Sequence, residues 1–276
     1  MPRIRTHILE IVMRLDRFAF LALSLTGCAT VPRVGADLVN STVVDLTYQF
    51  DSTTLYWPNS PSGFQLKELA RGVTPGGYFY SSNMFTAPEH GGTHIDAPIH
   101  FSVVGPTVDR IPVRQLIAPA VVIDVTAHAA SNADNRLSAQ DVRAWEATHQ
   151  MIPQGSIVLL RTGWGKFYGN RKAYFGDDTP GATDKLHFPS YGADAARLLV
   201  EERHVGAIGV DTPSIDYGQS SDFIVHQIAA RSGIPGLENI ANLESVPSRG
   251  SWVIALPMKI GGGSGGPLRI VALIPR

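Results

Sequence analysis

The pattern of hydrophobic and polar positions predicts a chain in which strands and helices are mixed. Six short apolar runs, rich in β-branched residues, are typical of buried strands. They cover residues 43–48, 118–125, 156–160, 206–210, 252–256 and 268–274. Three longer segments, 139–149, 193–203 and 221–231, predict helices. These elements do not alternate strictly, so we expect one mixed α/β domain without an internal linker, and the pattern leaves the order of the strands open.

Turn and cap residues mark the ends of several elements. Ser138 followed by Asp141 predicts a capping box that opens the first helix. Gly233 and Pro235 predict the end of the third. Residues 51–80 are rich in Pro, Gly, Ser and aromatic residues, which predicts a long loop lying over a site.

The N-terminal segment has the composition of a targeting sequence. Basic residues after Met13 precede an uncharged apolar run at 18–25, which is too short to span a membrane. The residues that follow, ending at Cys28, resemble the lipobox of bacterial lipoproteins. We therefore expect a signal peptide at 1–28 with Cys28 lipidated, a tether at 29–42 and a domain at 43–276. The mature protein would be anchored in the bacterial envelope and face the periplasm. A cytoplasmic protein with an apolar tail is the alternative.

Composition excludes several function classes. The net charge of −1 provides no basic field for nucleic acid, and loss of residues 1–27 would change it to −3. Cys28 is the only cysteine, so the domain has no disulfide, thiolate cluster or cysteine nucleophile.

Candidate chemistry is concentrated in residues 89–101, which contain three histidines and an aspartate. On a strand, His94 and Asp96 would share a face, and Gly91 and Gly92 would let the chain turn His90 toward them. Two imidazoles and a carboxylate suit Zn²⁺ or Mn²⁺, with an open position for water. Pro98 argues against a helix and should keep the chain extended as far as His100, which would then share a face with His94 and Asp96. The segment therefore predicts a metal site.

The segment from His90 to Phe101 closely resembles the H-x-G-T-H-x-D-x-P-x-H motif of the metal-dependent cyclase-like hydrolases. That family includes bacterial kynurenine formamidases and isatin hydrolases. The resemblance continues through residues 161–164, 211–216, 222–226, 237–239 and 264–267. It implies a fold of the swivelling β/β/α type and a dimer or higher homo-oligomer.

The resemblance also assigns roles to single residues. It implies metal ligands at His90, His94 and Asp96, with one or two ions per chain. A second ion would share Asp96 and add His226 and Glu238, which spacing alone does not connect with the motif. His100 would be the general acid/base. An aromatic residue near the substrate would correspond to Trp57, while Phe64, Tyr78, Tyr80 and Phe85 are weaker candidates for the pocket wall.

Three functions are consistent with these residues. The first is hydrolysis of a small amide, as in an arylformamidase, by metal-activated water with His100 moving the proton. The second is ring opening of a cyclic amide or lactone, as in an isatin hydrolase. The third is a non-catalytic envelope lipoprotein that binds a metal or small ligand. An acid/base residue beside the metal distinguishes the enzymes from the binder.

Overall fold

The computed structural model describes residues 40–276. These residues fold around one closed sheet. The twelve strands are β1 (Ser41–Asp45), β2 (Gln65–Val73), β3 (Phe79–Thr86), β4 (His94–Asp96), β5 (Ile117–Asp124), β6 (Arg136–Leu137), β7 (Ile157–Arg161), β8 (Ser190–Tyr191), β9 (Ala207–Val210), β10 (Gly236–Glu238), β11 (Trp252–Pro257) and β12 (Gly265–Pro275). The helices are α1 (Val113–Leu116), α2 (Thr126–Ser131), α3 (Ala139–His149), α4 (Arg171–Phe175), α5 (Ala193–Arg197) and α6 (Ile224–Arg231), and α5 continues as a π-helical turn, Leu198–Glu202.

Seven strands form a barrel-like sheet in the order β12-β11-β5-β7-β9-β10-β4, and β4 pairs again with β12. Strands β5, β7, β9 and β10 run parallel, and the other pairs are antiparallel. The length of β12 closes the sheet, because its first three residues pair with β4 and the rest with β11 and β1. Strand β1 lies outside the ring.

Successive side chains along each strand point to opposite faces of the sheet, so the hydrophobic core has one part inside the barrel and one part outside it. On β5 and β7, Val122 and Leu159 point into the barrel, where they pack with Ile95 of β4. Their neighbours Val121 and Val158 point outward against α3, α5 and α6. Burying one such side chain contributes roughly 1.5–3 kcal/mol. The parallel strands are therefore apolar on both faces, as the continuous hydrophobic runs predict.

The predicted strands and helices are confirmed, with shifts of a few residues at their ends. Both hydrogen bonds of the Ser138 capping box are present. The third helix begins at Ile224, three residues later than predicted. The delay arises because Phe223 has a φ of +50°, outside the right-handed helical region. The prediction of a single mixed α/β domain is confirmed, now as a barrel-like sheet covered by helices.

The prediction of a long loop over residues 51–80 is confirmed for 51–64, which contribute to the cavity described below, and is wrong from residue 65 onward. Strands β2 and β3 form a long hairpin that pairs with no other strand among residues 40–276. The sequence pattern does not reveal this hairpin, because both of its faces are largely exposed and apolar residues therefore do not alternate with polar ones. Even Val73 and Phe79 are exposed. We refer to residues 65–86 as the hairpin arm.

The predicted signal peptide, Cys28 and most of the tether lie outside the described residues. Between residues 40 and 276, no helix is both long and apolar enough to cross a membrane.

Candidate metal centre and active site

Strand β4 presents two of the predicted ligands on one face. Ile95 points into the barrel, so His94 and Asp96 point to the opposite side, as the strand alternation predicts. The neighbouring strand β10 pairs with β4 so that Glu238 lies opposite His94. The antiparallel register therefore places Glu238 beside the motif, although the two are far apart in sequence.

A glycine turn brings His90 to the same place. Gly92 has a φ of +56°, and a Cβ there would lie 2.7 Å from the ring of Phe50. A Cβ at Gly91 would collide with the ring of Tyr56. Because the chain can turn this tightly, His90 Nδ1 lies 2.6 Å from Asp96 Oδ1. The predicted turning role is confirmed for Gly92, whereas Gly91 allows the close approach of Tyr56.

Each of two carboxylates lies between imidazoles. His94 Nε2 is 3.3 Å from Asp96 Oδ1 and 3.4 Å from Glu238 Oε2. His226 Nε2 is 3.0 Å from Asp96 Oδ2 and 3.1 Å from Glu238 Oε1. The structure thus brings together all five predicted ligands. It also places Glu238 beside both His94 and His226, whereas the resemblance linked it only to a second ion.

These atoms fit a metal ion. His94 Nδ1 donates to the carbonyl of Gly92 at 2.9 Å, which leaves the Nε2 lone pair facing two carboxylate oxygens. Acceptors that face one another need a cation between them. Ligand atoms about 2.0–2.2 Å from a tetrahedral zinc ion lie about 3.3–3.5 Å apart, which matches the His94 distances. His226 Nδ1 lies 2.7 Å from Asp216 Oδ2, a partner that would orient its Nε2 in the same way.

The directions of the pKa shifts indicate that the cluster favours positive charge beside its carboxylates. Burial alone would lower the pKa of His94, but Asp96 and Glu238 raise it to about 9. Burial likewise opposes the protonated form of His226, yet Asp216, Asp96 and Glu238 hold its pKa well above the usual value. Burial would raise the pKa of Asp96, but the three histidines hold it well below the usual range. A bound cation would supply this charge in place of protons.

His100 reaches the cluster by a different backbone path from the one expected. Sequence reasoning predicts that Pro98 keeps this segment extended, and this is wrong, because Pro98–His100 forms a 3₁₀ turn. Proline is tolerated in the first turn of a helix, where its missing N–H would lack a partner anyway. The His100 ring stacks on His90 with centroids 3.9 Å apart. Possible ligand atoms of His90, Asp96 and His100 lie within 4.8 Å of one another.

An aromatic cavity of about 210 Å³ opens above the cluster. Trp57 lies in its wall, as predicted, with its ring 6.3 Å from that of Phe175 and 6.2 Å from that of Phe223. Sequence reasoning missed Phe101, Phe175 and Phe223, because isolated phenylalanines carry no spacing signal. Of the weaker candidates, Tyr78, Tyr80 and Phe85 are exposed on the hairpin arm, and none of the four lines the cavity.

The loop after β9 gives the site partial support. Asp216 accepts hydrogen bonds from the backbone N–H groups of Val225 and His226 as well as contacting the His226 ring. Ser214 lines the cavity. Asp211 instead accepts from Thr162 and Gly163, away from the five ligands. Support of the metal ligands therefore rests on Asp216 and not on Asp211.

Comparisons with known proteins identify the family. The cyclase family model, described as "Putative cyclase", matches residues 44–217. Isatin hydrolase of Roseibium aggregatum is 36% identical over 209 residues, which cover 72% of this chain and 77% of that protein. Kynurenine formamidase of Salinibacter ruber is 31% identical over 182 residues, covering 66% and 74%. The structure of isatin hydrolase A from Ralstonia solanacearum superposes with a TM-score of 0.78 and 35% identity, covering 90% of this chain and 98% of that one. The chain therefore belongs to the cyclase family of metal-dependent hydrolases.

Proposed function

We propose that the protein is a metal-dependent hydrolase of a small amide attached to an aromatic group, as in an arylformamide. One observation carries this proposal: Asp96 and Glu238 lie between His94 and His226, and Glu238 and both histidines line an aromatic cavity. The relatives named isatin hydrolase and kynurenine formamidase support it, since both names denote hydrolases of carbon–nitrogen bonds other than peptide bonds.

The chain has donors for one or two ions. His94, Asp96 Oδ1 and Glu238 Oε2 would hold one, with His90 beside them. His226 and the second oxygen of each carboxylate would hold another. We propose Zn²⁺ or Mn²⁺, because the donors are nitrogen and oxygen without sulfur. Such an ion would polarise the substrate carbonyl and lower the pKa of a bound water.

His100 is the residue that we propose moves the proton. Burial, reinforced by the neighbouring histidines, lowers its pKa to about 4 against the opposing effect of Asp96. The imidazole is therefore neutral at pH 7 and able to accept a proton from the attacking water. It would then give that proton to the nitrogen of the amide. The nitrogen must be protonated before it can leave as an amine.

The cavity determines which substrates fit. Its volume of about 210 Å³ is below the roughly 300–1,000 Å³ of pockets for drug-sized ligands. Trp57, Phe101, Phe175 and Phe223 offer apolar surface to a single ring or a fused pair of rings. We propose that Trp57 contacts the aromatic part of the substrate.

Ring opening of a cyclic amide or lactone is the second candidate function. It is favoured by the higher identity to isatin hydrolase, 36% against 31% for the kynurenine formamidase. Both reactions need the same metal and proton chemistry and differ in the shape of the bound amide. A non-catalytic lipoprotein that binds a metal or small ligand is the alternative that turnover would exclude.

Turnover on a panel of substrates tests the proposed function. We expect the metal-loaded protein to hydrolyse N-formyl anilines faster than isatin or small lactones. Trp57→Ala should raise KM by roughly fivefold, since one aromatic contact contributes on the order of 1 kcal/mol. Met151→Ala, at an exposed position outside the cavity and the hairpin arm, is the control and should leave KM unchanged. Faster turnover of isatin would favour ring opening, and no turnover of any member would contradict an enzymatic role.

We propose a homodimer or higher oligomer in which the hairpin arm contacts another copy. A two-stranded sheet is marginally stable alone, and this one exposes large apolar side chains. They are Leu66, Leu69, Val73, Tyr78, Phe79, Tyr80, Met84 and Phe85. Sedimentation at micromolar concentration should show an oligomer that Val73→Ser combined with Phe79→Ser dissociates. Met151→Ser, exposed elsewhere, should have no effect. A monomeric wild type would contradict the proposal.

We propose that the mature chain begins at lipidated Cys28 and faces the periplasm, held to the membrane only by the anchor. The support is the lipobox-like sequence before Cys28. Mass spectrometry of protein from the membrane fraction should show a diacylated Cys28, and Ala29 at the next position favours the outer membrane in an enterobacterial-type system. Cys28→Ser should release or mislocalise the protein. An unmodified N-terminus at Met1 or Met13 would refute the anchor.

We also propose that residues 43–276 are a single domain of the swivelling β/β/α type. The support is the barrel-like sheet of seven strands with helices packed on its outer face. A crystal structure would test this assignment by the relative placement of the sheet and its helical cover.

A further inference from the structure

The glycine-rich segment 261–266 packs directly against the most exposed of the proposed ligands. It enters β12, where Gly265 pairs with Asp96. A Cβ at Gly265 would lie 2.5 Å from His90 Cε1, and one at Gly263 would lie 2.7 Å from Glu89 Oε1. The contact at Gly265 requires glycine, because a Cβ there would also lie 2.6 Å from the carbonyl oxygen of Ile95. The segment is therefore shaped to hold Ser264 between Glu89 and His90.

The hydrogen bonds around Ser264 run in one direction. Its hydroxyl lies 2.6 Å from Glu89 Oε2, and its backbone N–H donates to the same oxygen at 3.0 Å. A carboxylate offers only acceptors, so the hydroxyl proton points to Glu89. A lone pair of Ser264 Oγ then faces His90 Nε2 at 2.9 Å, and Nε2–H is the donor. In a neutral ring Nδ1 is then the acceptor nitrogen, and since it lies 2.6 Å from Asp96 Oδ1, it would share a cation with that carboxylate as a ligand does.

His90 needs such a partner more than the other histidines do. Its side chain is 26% exposed, whereas those of His94 and His226 are 4% and 6% exposed and are enclosed by the core. The His90 ring also contacts the rings of His94 and His100, but Ser264 is the hydrogen-bond partner on its side opposite Asp96. Partners of this kind commonly change metal affinity by 10–100-fold when removed.

We infer that Glu89 and Ser264 form a carboxylate–hydroxyl–imidazole relay that selects the Nε2–H form of His90 and aims Nδ1 at the metal site. The inference rests on the proposed function. It makes Glu89 and Ser264 positioning residues, which act through His90 and do not touch the substrate. It also gives a role to the Ser264–Pro267 motif that the ligand set alone leaves unexplained.

Metal affinity tests the relay without relying on activity. Dissociation constants for Zn²⁺ and Mn²⁺ would be measured by competition with a chromogenic chelator. We expect Ser264→Ala and Glu89→Ala each to weaken binding by about 10–100-fold. The double variant should bind no more weakly than the weaker single variant, because both changes break one chain of hydrogen bonds. The unfolding midpoint of the metal-free protein should change little.

Asp109→Ala is the matched control, because Asp109 accepts from Gly262 N at 3.0 Å and anchors the same segment without touching His90. Its metal affinity should equal that of the wild type. Equal weakening in Asp109→Ala and Ser264→Ala would overturn the inference in favour of loop anchoring. If the wild type and Ser264→Ala bind metal equally tightly, the relay is refuted but the proposed metal site is not. A wild type that binds neither ion would overturn the proposed function as well.

Discussion

Asp96→Asn is expected to abolish metal binding and hydrolysis together. Asp96 gives one oxygen to His90 and His94 and the other to His226, so every proposed ion uses it. Asparagine keeps the shape but removes the charge and replaces one acceptor with a donor. Loss of metal catalysis costs several kcal/mol of transition-state stabilisation, which is about 10³-fold or more in rate. Elemental analysis and initial rates on the same preparation measure both effects.

The same analysis counts the ions in the wild type. About two per chain would support the shared arrangement of Asp96 and Glu238, and Glu238→Ala should then hold fewer. One ion, unchanged in Glu238→Ala, would give His226 and Glu238 pocket or structural roles. Chelation should abolish activity, and added Zn²⁺ or Mn²⁺ should restore it. Asp45→Asn, at an exposed ion pair, is the control. Full activity in a metal-free sample would refute the proposed chemistry.

His100→Asn is expected to keep the metal and the fold and to lose about 10²–10⁴-fold in rate, the usual contribution of general acid–base catalysis. The pH–rate profile should show the reason. The neutral imidazole is the active form, so activity falls as the pH drops through the pKa of His100. Because burial lowers that pKa to about 4, the wild-type limb should lie well below the usual pKa of histidine, and the variant should lack it.

Metal content must be measured at each pH, because acid also releases metal from histidines. His128→Asn, at an exposed helical position, is the matched control and should show the wild-type profile. Loss of metal from His100→Asn would make His100 a ligand, as its distance to His90 and Asp96 allows. Full activity would leave His100 a packing role, and another group would have to supply the proton.

The local pattern of residues in the sequence determined the metal-binding segment and many of the strands and helices. Residue spacing placed His90, His94 and Asp96 at one point, because strand alternation and glycine turns act over a few residues. The same kind of reasoning located the capping box at Ser138 and six of the twelve strands. It missed the hairpin arm, since a strand exposed on both faces shows no alternation. It also missed the turn at Pro98–His100, where proline permits more than one backbone path.

Tertiary structure decided which distant residues join the motif. Glu238 reaches His94 through the register of β10 against β4, and Ser264 reaches His90 through the first residues of β12. His226 arrives from α6, oriented by Asp216. Resemblance to the family anticipated Glu238 and His226, but spacing could not, because strand register depends on hydrogen bonds between segments far apart in sequence. The sequence by itself thus determined a metal-binding segment, and the closure of the sheet around β4 decided that two carboxylates and three imidazoles meet there.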